Sequence, residues 1–114
     1  MIGATHVGMV ELWLRSNGKP ANKFKSTTEW LQDVYMLVNA QAQGFWISTV
    51  SKLWVNASSA QQVEWEKYAL ASFLMAANGK AYFSFTTSQT TTGLLFDSPM
   101  FHVAIGTPTK AFAK

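Results

Sequence analysis

Hydrophobic residues follow two different periods along this chain, and the periods alternate. Between Gln62 and Ala76 the apolar positions Val63, Tyr68, Leu70, Ala71, Leu74 and Met75 recur at helical spacing. Abundant Ala leaves one face of this helix small enough to lie close against a sheet. Asn78-Gly79 ends it, because Gly accepts the left-handed conformation that a helix C-terminus favours. Ala81 to Phe85 follow, aromatic and continuous in apolarity, and read as a strand covered on both faces.

The same order appears earlier in the chain. His6 to Leu14 read as a first strand, interrupted only by Glu11. Arg15 to Lys25 contain Asn17-Gly18 and Pro20 and read as a long loop. Ser26-Thr27-Thr28-Glu29 is a capping box, which opens a helix running to about Gln43. Trp30, Val34, Leu37, Val38 and Gln41 or Ala42 lie on or near one of its faces, and Gly44 stops it. Phe45 to Val50 form the second strand, and Lys52 to Ala57 a loop unusually rich in apolar residues. Ser58 or Ser59 caps the next helix, with Gln61 or Gln62 in the box position.

Beyond Phe85, Thr86 to Gly93 read as a Ser/Thr-rich loop and Asp97-Ser98-Pro99 as a turn. Phe101 to Ile105 read as a fourth strand or as an extended segment before Gly106-Thr107-Pro108. Strand–helix–strand alternation predicts an α/β fold with a parallel sheet and helices packed outside it. The 114 residues make one domain, 1–114.

Composition sharpens this picture. Charged residues are 13% of the chain, against about 25% in ordinary domains. Five Trp, eight Phe and three Tyr are many for this length, so part of the apolar surface is expected to be covered by another chain. The net charge of +3 comes without a Lys/Arg run. Lys19, Lys23 and Lys25 read as a solvated loop, so no nucleic-acid partner is expected. The absence of Cys excludes disulfides and thiolate metal sites. No apolar run reaches the roughly 18 residues of a transmembrane helix, and no leader segment is read, so no membrane partner and a cytoplasmic location are the default expectations.

Glu11 is the strongest chemical signal. A carboxylate in an apolar strand is costly unless it is paired or faces a polar cavity. In the expected strand Trp13 points the same way. A carboxylate beside an indole is the composition of a sugar site, where the ring stacks on the sugar and the carboxylate does proton or nucleophile work. The competing reading is a structural Glu11 paired with Arg15 or Lys52. Glycoside hydrolysis needs a second carboxylate about 5 to 10 Å away. Of the six acids, four lie on helices, which leaves Asp97 as the loop candidate, with an ordinary turn as its other reading. Trp54 sits on a strand-end loop and is a candidate cleft residue, and Arg15, Tyr82 and Ser84 complete the substrate-binding set. His6 and His102 lack metal-ligand spacing, and no phosphate loop or nucleophile elbow is present, so neither metal nor cofactor is expected.

Several of these segments resemble a known group. The Ala/Leu helix with its Gly stop, Tyr82-Phe83-Ser84-Phe85 and Ala104-Ile105-Gly106-Thr107-Pro108 look like the last strands of the hypothetical glycosyl hydrolase-like TIM barrels, with Ile in place of Leu. Gly8-Met9-Val10-Glu11-Leu12-Trp13 and Trp30-Leu31-Gln32-Asp33-Val34 resemble an earlier strand and helix of the same proteins, so the likeness spans roughly positions 7 to 112. It implies a partial, half TIM-type β/α barrel with three to four parallel strands and two main outer helices. Together with the Glu11–Trp13 pair it points to a glycoside hydrolase with Glu11 as acid/base or nucleophile and Asp97 as its candidate partner, or to a non-catalytic carbohydrate-binding or structural half-barrel. A full barrel takes about 250 residues. The chain is therefore expected to be a piece of a larger protein or to complete itself as a homodimer.

Overall fold

The computed structural model describes residues 7–87, 98–102 and 110. Five elements follow in the order β1 (Val7–Val10), α1 (Thr27–Ala42), β2 (Trp46–Lys52), α2 (Ser59–Ala76) and β3 (Ala81–Thr86). A short 3-10 turn occupies Pro99–His102. The result is a mixed α/β fold with a three-stranded parallel sheet in the order β1-β2-β3.

Both helices begin as the sequence predicts. Ser26 Oγ accepts from the Glu29 N–H at 3.3 Å while Glu29 Oε2 accepts from the Ser26 N–H at 3.0 Å. Ser58 and Gln61 repeat the exchange at 3.1 and 2.9 Å. Each box satisfies two amides that a helix N-terminus otherwise leaves without partners. Gly44 and Gly79 both adopt positive φ, 90° and 82°. The second helix nevertheless stops at Ala76 rather than Asn78, because Ala77 is already extended.

Gln41 holds that stop together. Its Nε2 donates to Ala76 O at 2.8 Å and Leu37 O at 3.0 Å, and its Oε1 accepts from Asn78 N at 2.7 Å and Lys80 N at 3.3 Å. One buried amide thus ties the last turns of α1 and α2 to the start of β3.

Alternation along the strands divides the sheet into two unlike faces. Strand register sets Ile47, Thr49 and Ser51 beside Ala81, Phe83 and Phe85. Ile47 and Phe85 belong to the core with Val34, Leu37, Trp65 and Phe73, and Val10, Ala81 and Phe83 pack against it. The Phe73 and Phe83 rings lie 5.3 Å apart, so α2 covers this face. The opposite face carries Val7, Met9, Trp46, Val50, Tyr82 and Ser84 and remains largely open. Met9 is 63% exposed and Tyr82 59%. Phe83 and Phe85 are therefore covered on the helix side, whereas Tyr82 is not, and β3 is not enclosed on both faces as its apolar run suggests.

Three further boundaries depart from expectation. The first strand ends at Val10, and residues 11–14 turn instead of continuing to Leu14. Leu14 takes φ 68°, a left-handed conformation rare in side-chain-bearing residues. This bend sends Trp13 and Leu14 under the helices, where both are fully buried. The second strand runs on through Lys52, so Lys52 is a strand residue and not the start of a loop. Phe101 and His102 lie in the 3-10 turn, not in a strand; residues 103–105 of the expected fourth strand lie outside the described residues. Among the described residues no helix is long and apolar enough to cross a membrane.

Candidate functional site

The bend after β1 separates residues that the sequence places together. With β1 ended, Glu11 and Trp13 no longer share a strand face. Trp13 has no exposed surface; its Nε1 donates to Asp33 O at 3.2 Å and its ring meets Phe73 edge-on at 6.2 Å. It is a core residue with no face free for a ligand. Arg15 is likewise buried among the helices, with its guanidinium 4.5 Å from the Trp65 ring centroid.

Glu11 stays at the surface and acquires a different neighbour. Its Oε2 lies 3.1 Å from Lys52 Nζ, with the Glu11 side chain 64% exposed and that of Lys52 17%. Lys52 Nζ also sits 4.6 Å from the centroid of Trp54. Trp54 Nε1 in turn donates to Thr86 Oγ1 at 3.3 Å. These contacts run as one chain, Glu11–Lys52–Trp54–Thr86, across the C-terminal ends of all three strands. Parallel alternation sets Ser84 and Tyr82 on the same open face, successively farther from that edge.

The backbone explains this convergence. Strands β2 and β3 end together, with Lys52 beside Thr86 in register. Leu53 N donates to Thr86 O at 2.8 Å, which carries the pairing one residue farther and folds Trp54 over β3. Leu53 is buried, so the segment after β2 is pinned by its apolar side chain while Trp54 stays half-buried. Trp13 is removed from the expected Glu11–Trp13 pair, and among the described residues Glu11 and Trp54 share only Lys52 as a neighbour.

Tyr82 stacks on Trp46, ring centroids 5.8 Å apart, near the opposite end of the open face. Asp97 and His6 lie outside the described residues. Of the other described acids, Asp33 and Glu29 are committed elsewhere, Glu64 is exposed, and Glu66 is buried with its Oε1 lacking a hydrogen-bond partner. Asp33 accepts from Lys25 at 2.6 Å and from the Leu14 N–H at 3.1 Å, and Glu29 is held in its capping box. Bonds from the Ser26 backbone N–H and hydroxyl keep the Glu29 carboxyl below its ordinary pKa, with Lys25 adding a smaller pull.

Neither protein-family models nor curated proteins give a match to this chain. The likeness to glycosyl hydrolase-like barrels therefore rests on the residues quoted for it.

A second grouping forms at the same end of the sheet, in the segment between β1 and α1. Arg15, Lys19, Lys23 and Lys25 line a cavity of about 300 Å³ together with Phe24 and Glu29. In sequence the three lysines read as a solvated loop. Lys19 and Lys23 are exposed as that reading expects, and the unexpected residue is Arg15, buried against Trp65 and bonded to Lys19 O.

Proposed function

We propose that this chain is a carbohydrate-binding β/α half-barrel, with its sugar site on the edge formed by Glu11, Lys52 and Trp54. The single observation carrying this reading is the Glu11–Lys52–Trp54–Thr86 chain at the strands' C-terminal ends. In β/α barrels that edge is where binding residues gather. An indole beside hydrogen-bonding charged groups matches the two surfaces of a sugar, apolar C–H faces and hydroxyl rims. Lys52 donates, Glu11 accepts, and Ser84 adds a hydroxyl on the same face.

Binding fits the geometry better than hydrolysis. Hydrolysis calls for two carboxylates, one of them with a raised pKa. Glu11 is exposed and ion-paired, and among the described residues no second carboxylate joins it. Hydrolysis remains the reading in which Asp97, or Glu11 of a second copy, acts as its partner.

Self-association belongs to the same proposal. Consecutive parallel strands with both helices on one face form the local pattern of a barrel wall. Its inner face is the one bearing Val7, Met9, Trp46 and Tyr82, 65%, 63%, 40% and 59% exposed. Two copies meeting through these faces would cover them, and a symmetric dimer is the commonest closed arrangement.

Glu11→Gln separates the two readings. A panel of oligosaccharides and aryl glycosides is offered to the purified protein and to this variant. The binding account expects no turnover by either and weakened but measurable sugar binding by the variant. Turnover by the parent that Glu11→Gln abolishes would overturn it in favour of hydrolysis.

A further inference from the structure

Arg15, on the wall of the cavity between β1 and α1, is a buried cation stacked on Trp65 without a carboxylate partner among the described residues. Arg15 is 3% exposed. Its Nε donates to Lys52 O at 3.0 Å and one terminal nitrogen donates to Lys19 O at 2.5 Å. The other, Nη1, is buried without any hydrogen-bond partner. Among the described residues Arg15 forms no ion pair; those present join Lys25 to Asp33 and Lys52 to Glu11. Burial lowers the Arg15 pKa, yet a guanidinium stays charged at any physiological pH. A buried cation with a donor left over is costly unless something anionic meets it.

The surroundings point the same way. Lys19, Lys23 and Lys25 converge on the cavity that Arg15 lines. The one carboxylate on its wall, Glu29, spends its Oε2 on Ser26 N and Oγ at 3.0 and 2.9 Å. Lys25 is neutralised by Asp33, which also holds the Leu14 N–H and so fixes the strained residue just before Arg15. A purely structural Arg15, stacked on Trp65, accounts for two of its nitrogens and its ring contact. It leaves Nη1 and the gathering of lysines unexplained.

We propose that this cavity binds the oxyanion group of a small ligand, a phosphate or a carboxylate, with Arg15 Nη1 as donor and Lys19 and Lys23 as supporting charges. A planar guanidinium suits both groups, since each presents paired oxygens. The proposal does not rest on the sugar-binding reading, although Arg15 Nε meets Lys52 O of that edge at 3.0 Å.

The test is titration of the full chain at low ionic strength, once with inorganic phosphate and once with acetate, which has no sugar ring, followed by calorimetry and by tryptophan emission. Saturable binding with a Kd near about 1 mM or tighter is expected for at least one of them. Binding of phosphate alone assigns a phosphorylated ligand, and binding of acetate alone a carboxylate ligand. Arg15→Lys should weaken the interaction about tenfold or more, because a point charge cannot replace the fork. If that variant does not fold, the surface pair Lys19→Ala/Lys23→Ala decides, with an expected several-fold loss and an unchanged melting temperature. No saturation with either anion, or equal affinity in the folded variants, would overturn the proposal.

Discussion

Glu11 accepts a hydrogen bond from Lys52 Nζ at 3.1 Å, linking the end of β1 to the end of β2 at the surface of the sheet. The pair is too exposed on the Glu11 side to matter much for folding, since such surface pairs contribute about 0 to 1 kcal/mol. Glu11→Gln should therefore change the free energy of unfolding by less than about 0.5 kcal/mol in urea titrations. A loss several times larger would make Glu11 a structural residue and remove it from the site.

Gln41 is the opposite case. It is 4% exposed and serves four backbone groups of α1, α2 and the turn before β3. Gln41→Leu keeps the bulk but leaves Asn78 N–H and Ala76 O without this partner. The expected cost is about 2 to 4 kcal/mol, since each buried group left unsatisfied costs about 1 to 3 kcal/mol. Urea unfolding measures it, and a loss under about 0.5 kcal/mol would show that water replaces the amide.

Gly79 isolates a backbone effect. Its φ is 82°, and nothing lies within 4 Å of where a Cβ would stand. Substitution there meets no clash, only the left-handed backbone penalty of about 1 to 2 kcal/mol. Gly79→Val should lower the melting temperature clearly, and Gly79→Asn less, because Asn tolerates that conformation better. Equal losses would point to something other than φ.

Acid should weaken the start of α1. The folded-state pKa of Glu29 lies below its ordinary 4.5, chiefly through the Ser26 backbone N–H and then its hydroxyl. That stabilisation is present above the unfolded value and is lost as pH falls through the folded one. Thermal melts from pH 6 down to about pH 3 should show a decline that Glu29→Gln makes shallower. A parallel decline in both proteins would contradict the capping role.

How much of this was legible depends on whether the signal was local. The two capping boxes, the helix stop at Gly44, the positive φ of Gly79 and the parallel strand–helix order all follow from short-range chemistry and were readable, whereas the second helix ends at Ala76, short of the expected Asn78. The end of β1 was not. Leu12-Trp13-Leu14 looks like strand, but Leu14 turns left-handed so that Trp13 can bury its ring against α1 and α2. The covered face of β2 was also hidden, because hydroxyls lie inside and an indole lies outside. Thr49 Oγ1 donates to Tyr82 O at 3.0 Å and Ser51 Oγ to Trp13 O at 2.8 Å, so both polar groups are satisfied where they are buried. Trp54 was a candidate from its strand-end loop, but its place over β3 beside Lys52 depends on the pairing of Leu53 with Thr86, a long-range contact that no local pattern encodes.

The most direct test of the account is to follow the five tryptophan indole N–H signals by nuclear magnetic resonance while oligosaccharides are added. Trp13, Trp30 and Trp65 donate to Asp33 O, Ser72 Oγ and Ala21 O inside the fold, and Trp54 donates to Thr86 Oγ1 at the sheet edge. The account predicts that a binding sugar moves the Trp54 signal together with the Glu11 and Lys52 amides, leaves Trp13 and Trp65 in place, and loses its effect in Trp54→Ala. A sugar that binds without moving Trp54, or a broad panel that moves no signal at all, would contradict it.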